Sequence, residues 1–311
     1  MTSRELQARL VAIVSQTMPL PGGGQSSERL QLLAETARED ISLAKLAEAH
    51  WDAVAILAEA GRAPQPGTLY AVWASEIPGQ TLRLERTSDG YELSGRKPFC
   101  SGIGIVDCAL ITVGLPEQLL VEADLRNNQE RIAADLDMWK VDAFRATQTG
   151  AVTFLNSQLS SNAVVGTSGW YLDRPGFWHG ACGPAACWAG GVAGLLDFAL
   201  ASKRDDPHTL AHLGAMQASV WGMYSLLKQA GDEIDGAPCD AKAAQIRALQ
   251  LRHLIEQTGT DILQRFSRAY GPYPLSMDEG TSRRYQEAGL YMRQSHAERD
   301  LECLGTLIRK L

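Results

Sequence analysis

The stretch that most constrains this chain is "ACWAGGVAGLLDFALASKR", residues 186–204. A single aspartate interrupts a run of small and apolar side chains until Lys203 and Arg204 close it. A helical segment without a polar face cannot lie against water, so this one demands other helices around it. Its alanines and glycines demand that those neighbours approach closely. Three further helical patterns supply them: "LAHLGAMQASVWGMYSLLKQAGDEID", "AKAAQIRALQLRHLIEQTGTDILQRFSRAY" and "SMDEGTSRRYQEAGLYMRQSHAERDLECLGTLI". The spacing predicts a four-helix bundle over residues 167–311.

Upstream the texture changes twice. Between Ser27 and Gly61 apolar residues recur every three or four positions, with Ser26 or Ser27 placed to cap and Gly61 to terminate. Two helices are expected, forming a short N-terminal helical domain over residues 1–68. "RAPQPG" breaks that pattern. From Leu69 to about Val165 come short alternating runs, among them "TLYAVWAS", "LRLERT", "DCALITVG" and "AVTFLN". They predict an antiparallel sheet or small barrel as a middle β-domain, residues 69–166. The fold class is α+β.

A chain of 311 residues with 45% hydrophobic and 21% charged residues buries a substantial core, and its net charge of −7 argues against disorder and against nucleic acid as a partner. No uninterrupted apolar segment of membrane length is read, and the N-terminus "MTSRELQARL" lacks the order of a secretion signal. The six cysteines form no CxxC pair and sit among apolar neighbours, which predicts buried, reduced thiols and a cytoplasmic protein without a metal site.

The chemistry-bearing candidate is "YELSGRKPFCSG", residues 91–102. A strand enters a reversal at Ser94-Gly95 and is followed by an aromatic, two small side chains and a glycine, a run that lets backbone come close to a flat ligand. On these residues alone, an ordinary hairpin with Phe99 in the core is the favoured reading. Trp170, Trp178 and Trp188 are read as core aromatics.

This stretch, with the helix–sheet–bundle order, resembles the acyl-CoA dehydrogenase family. The family's strand-turn-strand F-x-L-x-G-x-K-x-W-I-T-x stands here as Tyr91, Leu93, Gly95, Lys97, Phe99, Cys100 and Ser101. "VWASEIPGQT" is similar to the family's T-E-P-x-x-G-S through Ser75, Glu76 and Thr81, and "FRATQTGAVTFLNSQL" to its R-x-S-x-T-x-x-V-x-F through Arg145, Thr149, Val152 and Phe154. The resemblance implies an FAD-dependent protein. Phe99 would pack on the flavin, Cys100 would lie beside it, and Ser101 would hydrogen-bond near its N5 edge. Ser75 and the backbone of Ala74 would meet the pyrimidine side, and Thr81 an acyl thioester or pantetheine. Arg204 takes the place of the arginine that reaches the FAD diphosphate of a neighbouring subunit, with Gln217 at the family's spacing beyond it. "LQRFSRAYG" keeps Gln264 and Gly271 of the family's Q-x-x-G-G-x-G but carries larger residues for its paired glycines. Taken singly, Arg204 also reads as an exposed helix end and Gln264 as a surface amide.

Two departures bear on activity. The N-terminal domain is short by several helices, although "EAHWDAVAILAEAG" looks like its last. Where the family holds the glutamate that removes an α-proton, Gln294 stands, and an amide accepts no proton. His179, at the start of the Ala/Gly helix, and His296 are the substitute bases; packing at a helix start and a solvated helix face are their plainer readings. His296 is also counted on the cofactor side. The leading expectation is FAD-dependent α,β-dehydrogenation of an acyl-CoA thioester, with hydride passing to flavin N5 and electrons onward to an electron-transferring flavoprotein. The alternatives are a catalytically deficient subunit or scaffold paired with a catalytic paralogue, and a flavin-dependent monooxygenase of the same fold. A homodimer or tetramer is expected.

Overall fold

The computed structural model describes residues 2–310. Packing groups them into two compact units: one comprises the residues up to Thr17 and Ala49–Phe177, the other Met18–Glu48 and Trp178 onward. This grouping cuts across the three-part division read from sequence texture, because the N-terminal helices are shared out by what they bury against.

The first unit opens with α1 (Ser3–Val14), whose Thr2 and Glu5 form a reciprocal capping box and whose Leu6 and Leu10 are buried. The later part of α3 (Ile41–Glu59) lays Ala53, Ile56 and Leu57 on a core of Tyr70, Cys108, Leu110, Leu120 and Val165. Eight strands form two four-stranded sheets: β1 (Tyr70–Trp73), β2 (Arg83–Arg86), β3 (Gly90–Cys100), β4 (Cys108–Val113), β5 (Leu119–Asp124), β6 (Ile132–Asp135), β7 (Gly150–Ser160) and β8 (Val164–Val165). One sheet runs β1-β4-β5-β8 and the other β2-β3-β7-β6. The wholly antiparallel expectation needs one correction, since β1 and β4 pair in parallel. Strand direction depends on the connecting chain, which periodicity does not report. A short helix, α4 (Trp170–Asp173), follows the sheets.

The second unit is the helical bundle. Its centre is α5 (Pro175–Ala201), buried along most of its length. Its best window has a mean hydropathy of 1.4, so by length and composition it is apolar enough to cross a bilayer, contrary to the expectation that no segment is; 67% of that window is buried inside, which marks it as a core helix. Its one aspartate, Asp197, is held by Arg38 in a two-pronged contact of 2.6 and 2.8 Å. Around it stand α6 (Pro207–Gly236), α7 (Ala241–Tyr270) and, after the short α8 (Tyr273–Met277), α9 (Glu279–Tyr291) and α10 (Glu298–Ile308). The fourth helical pattern is therefore several pieces, broken where Asp278 caps α9 and where Ala297 takes φ +47°. A fifth helix, α2 (Ser26–Glu39), joins the bundle and starts one residue earlier than expected, with Gln25 at the cap. A Cβ on Gly190 would lie 1.8 Å from the Ala34 carbonyl oxygen, and one on Gly231 2.2 Å from Ser27 Cα, so these glycines are what lets α2 seat.

Four cysteines are buried; Cys239 is exposed and Cys303 half-buried, which corrects the expectation that all six lie inside.

Candidate functional site

The sequence "KPFCS" fixes the local geometry at the end of β3. Pro98 has no N–H to offer the ladder, and the β3–β7 register shifts between Lys97 and Cys100. Phe99 sits in that irregularity with φ +55° and is 47% exposed. A left-handed aromatic on a strand is strained, and the result is a ring turned out of the sheet rather than into the core. Cys100 returns inward: it is fully buried, its Sγ contacts the Lys97 carbonyl at 3.3 Å, and burial pushes its thiol up to about 12. What it offers a ligand beside Phe99 is backbone only.

Ser101 is half-buried, and its carbonyl accepts from Trp73 Nε1 at 3.0 Å. Its hydroxyl begins a chain of short contacts: Ser101 Oγ to Thr149 Oγ1 at 2.9 Å, Thr149 Oγ1 to Thr147 Oγ1 at 2.8 Å, and Thr147 Oγ1 to the Phe144 carbonyl at 2.8 Å. Thr147 and Thr149 are buried. Behind this group, Lys97 is also buried and donates from Nζ to the Thr112 carbonyl and hydroxyl at 2.9 and 2.8 Å, with Glu76 3.7 Å away. Burial lowers its pKa, and the contacts tie β3 to β4. Thr112 in turn donates to the Ala74 carbonyl at 3.3 Å, which fixes the chain leaving β1. Ser75 and Thr81 beyond it are exposed. Ala74, Ser75, Phe99, Cys100, Ser101 and Thr81 all lie in the first unit.

Sequence reading passed over Thr147 and Thr112, and counted Lys97 only as a matching letter of the motif. The signal available was the threonine pair Thr147-x-Thr149 directly ahead of the apolar start of β7, where a short helical turn ends at Thr147.

The remaining candidates belong to the second unit. His179 is buried within α5 and its Nε2 donates to the Pro238 carbonyl at 2.9 Å, since a carbonyl can only accept. Gln294 lies in the turn after α9 with an exposed side chain; its carbonyl accepts from Arg252 Nη2 at 2.9 Å. Arg252, buried over the Trp188 ring at 4.7 Å, has its pKa lowered by burial and binds the Ala181 carbonyl as well. His296 is exposed, 3.3 Å from Asp300. Arg204 is exposed, 3.5 Å from Asp206, and Gln264 is an exposed residue of α7. Gly271 ends α7 with φ +68°.

No family model and no curated protein matches the sequence. Solved structures do match the fold. Dibenzothiophene monooxygenase from Paenibacillus sp. A11-2, in its FMN-bound form, superimposes with a TM-score of 0.77 at 17% identity over 92% of this chain and 84% of that one. Butyryl-CoA dehydrogenase from Megasphaera elsdenii gives 0.75 at 15% over 90% and 81%. The chain has the acyl-CoA dehydrogenase fold. A nitrososynthase from Micromonospora carbonacea var. africana gives 0.78 at 13% over 96% and 87%. At these identities the acyl-CoA dehydrogenase fold is what is shared, and reaction must be argued from the site.

Proposed function

We propose that this protein is a flavin-dependent oxidoreductase, with an isoalloxazine ring against Phe99 and its N5 edge at Ser101. The observation that carries this is Phe99 itself: a large aromatic held at φ +55° and 47% exposed, where a core residue would have been free to turn inward. Strain kept at an exposed aromatic calls for a ligand face. Beside it, Ser101 supplies a hydroxyl, while the exposed Ser75 and the Ala74 backbone offer polar groups to a second edge. Flavin, when bound, supplies two-electron chemistry, either taking hydride from a substrate or, once reduced, giving electrons to dioxygen.

The site fits the ring better than it fits a dinucleotide tail. Residues Gln264 to Tyr270 are helical and carry full side chains where close backbone approach would be needed, and exposed Arg204 is engaged with Asp206. Flavin mononucleotide is accordingly the proposed form, rather than the FAD implied by the family resemblance. Titration of the purified protein tests both statements. Flavin fluorescence is expected to quench on binding, with FMN held at least as tightly as FAD; failure to bind either removes the redox reading.

A second point concerns reaction class. Gln294, the residue at the place of the family's base, is an exposed amide, so it gives α-proton abstraction from an acyl-CoA no carboxylate. This favours oxygen-dependent chemistry over dehydrogenation, in keeping with the monooxygenase named among the similar structures. The reduced holoprotein is expected to consume dioxygen in air, and straight-chain acyl-CoA thioesters are expected not to bleach the oxidised flavin under anaerobic conditions. Rapid bleaching would restore the dehydrogenase reading.

A further inference from the structure

We infer that the buried Lys97 ammonium, two residues from Phe99, is an electrostatic element of the ligand site, which therefore binds an anionic ligand form, the reduced flavin, in preference to the neutral oxidised one. The inference rests on the flavin reading. Lys97 is 2% exposed, and its Nζ donates to the Thr112 carbonyl at 2.9 Å and to Thr112 Oγ1 at 2.8 Å. Thr112 Oγ1 directs its own hydrogen to the Ala74 carbonyl at 3.3 Å or to Glu76 at 3.5 Å, so it accepts from Lys97. Glu76 Oε1 stands 3.7 Å from the same Nζ. A neutral amine would have two hydrogens for Thr112 and only a lone pair for that carboxylate, whereas an ammonium has a hydrogen for each of the three. Lys97 therefore carries its charge.

That charge is poorly compensated. The Glu76 side chain is 52% exposed, so water screens its carboxylate far more than it screens the ammonium. The buried Cys100 thiol, pushed up to about 12, adds no negative charge. Burial lowers the Lys97 pKa in spite of Glu76, as expected of an ammonium short of a counter-ion. A tie between β3 and β4 alone needs no charge, and an ammonium is costly to bury. Two-electron reduction of a flavin with uptake of one proton turns its neutral ring into an anion. A buried positive charge stabilises that anion over its neutral parent, and the anion supplies the negative charge that Lys97 lacks.

The test is the midpoint potential of protein-bound FMN, measured by anaerobic dithionite titration against a reference dye, in the native protein and in two variants of opposite charge effect. Lys97→Met nearly keeps the length of the side chain and removes the charge. It is expected to lower the affinity ratio of reduced over oxidised flavin about ten-fold, the effect of a unit charge at about 10 Å and an effective dielectric constant of about 20, which is about 30 mV for a two-electron couple. Glu76→Gln removes the opposing charge at constant shape, so it is expected to raise the ratio, by about three-fold because water already screens that carboxylate. A merely structural role for the pair would weaken both redox forms together and leave the ratio unmoved. Should Lys97→Met fail to fold, Glu76→Gln, on a half-exposed side chain, decides alone. A potential that does not fall in folded Lys97→Met, or does not rise in Glu76→Gln, overturns the inference while leaving the flavin reading standing. Native protein that binds no flavin overturns both.

Discussion

At the scale of single residues, Phe99 trades backbone comfort for exposure. A left-handed conformation costs an L-residue roughly 1–2 kcal/mol, while glycine there costs about 0.5–1 kcal/mol in chain entropy. Phe99→Gly is thus expected to leave the flavin-free protein within about 1 kcal/mol of the parent in urea melts, or slightly more stable, while weakening flavin at least about ten-fold. A variant that loses stability and keeps its flavin affinity would show that the ring serves packing. His50 makes the opposite bargain. It is buried, its Nδ1 accepts from the Tyr70 N–H at 3.1 Å, and burial lowers its pKa to about 4. The unfolded chain takes up this proton near pH 6.5 and the folded chain only near 4, so the contribution is intact above 6.5 and is lost as pH falls through that window. The loss should approach about 2–3 kcal/mol by pH 4, read from urea midpoints between pH 7 and 4. His50→Gln should flatten that part of the curve; an unchanged slope would assign it to other groups.

At the scale of elements, the bundle depends on glycine where two helix backbones meet. A methyl group on Gly190 would lie 1.8 Å from the Ala34 carbonyl oxygen, so Gly190→Ala must push α2 from α5, at a cost of about 3 kcal/mol or more in thermal or chemical melts. Gly305→Ala within α10, with nothing within 4 Å of the added methyl, should be neutral or slightly stabilising. Equal effects would mean that helix propensity and not contact governs both. Apolar periodicity made α2, α3 and the bundle helices legible in the sequence, and α5 was legible because a helix with no polar face has one place to go. Other elements were written in the chain but needed closer reading, as with the Thr2-x-x-Glu5 box that starts α1. The parallel β1–β4 pair and the sharing of α2 and α3 between two units were not legible, since both follow from contacts between distant segments. The candidate site divides the same way. Phe99 and Ser101 were readable from an ordered motif, while the hydroxyl contacts behind Ser101 required knowing that Thr147 and Thr149 come together there and that Thr147 reaches a carbonyl three residues back in the chain.

At the scale of the whole molecule, the surface of α6 stands out against a chain of net charge −7. Leu210, Gly214, Gln217, Ala218, Trp221 and Ser225 share one exposed face at helical spacing, without a charge among them, and Trp221 is 72% exposed. An indole at the centre of an uncharged stripe leaves contiguous apolar surface in water. We propose that this face is where two copies of the chain associate, which also places Gln217, at the spacing the family resemblance picks out, in a contact. Light scattering at micromolar concentration is expected to give twice the chain mass or a higher multiple. Trp221→Glu puts a charge at the centre of the stripe without touching the core, so it should shift the protein toward monomer with its melting behaviour at high dilution unchanged. A native monomer would end the proposal. An oligomer that survives Trp221→Glu would move the interface to another face, and the same measurement on Lys228→Glu, at the charged edge one turn beyond Ser225, would then show whether any part of α6 takes part.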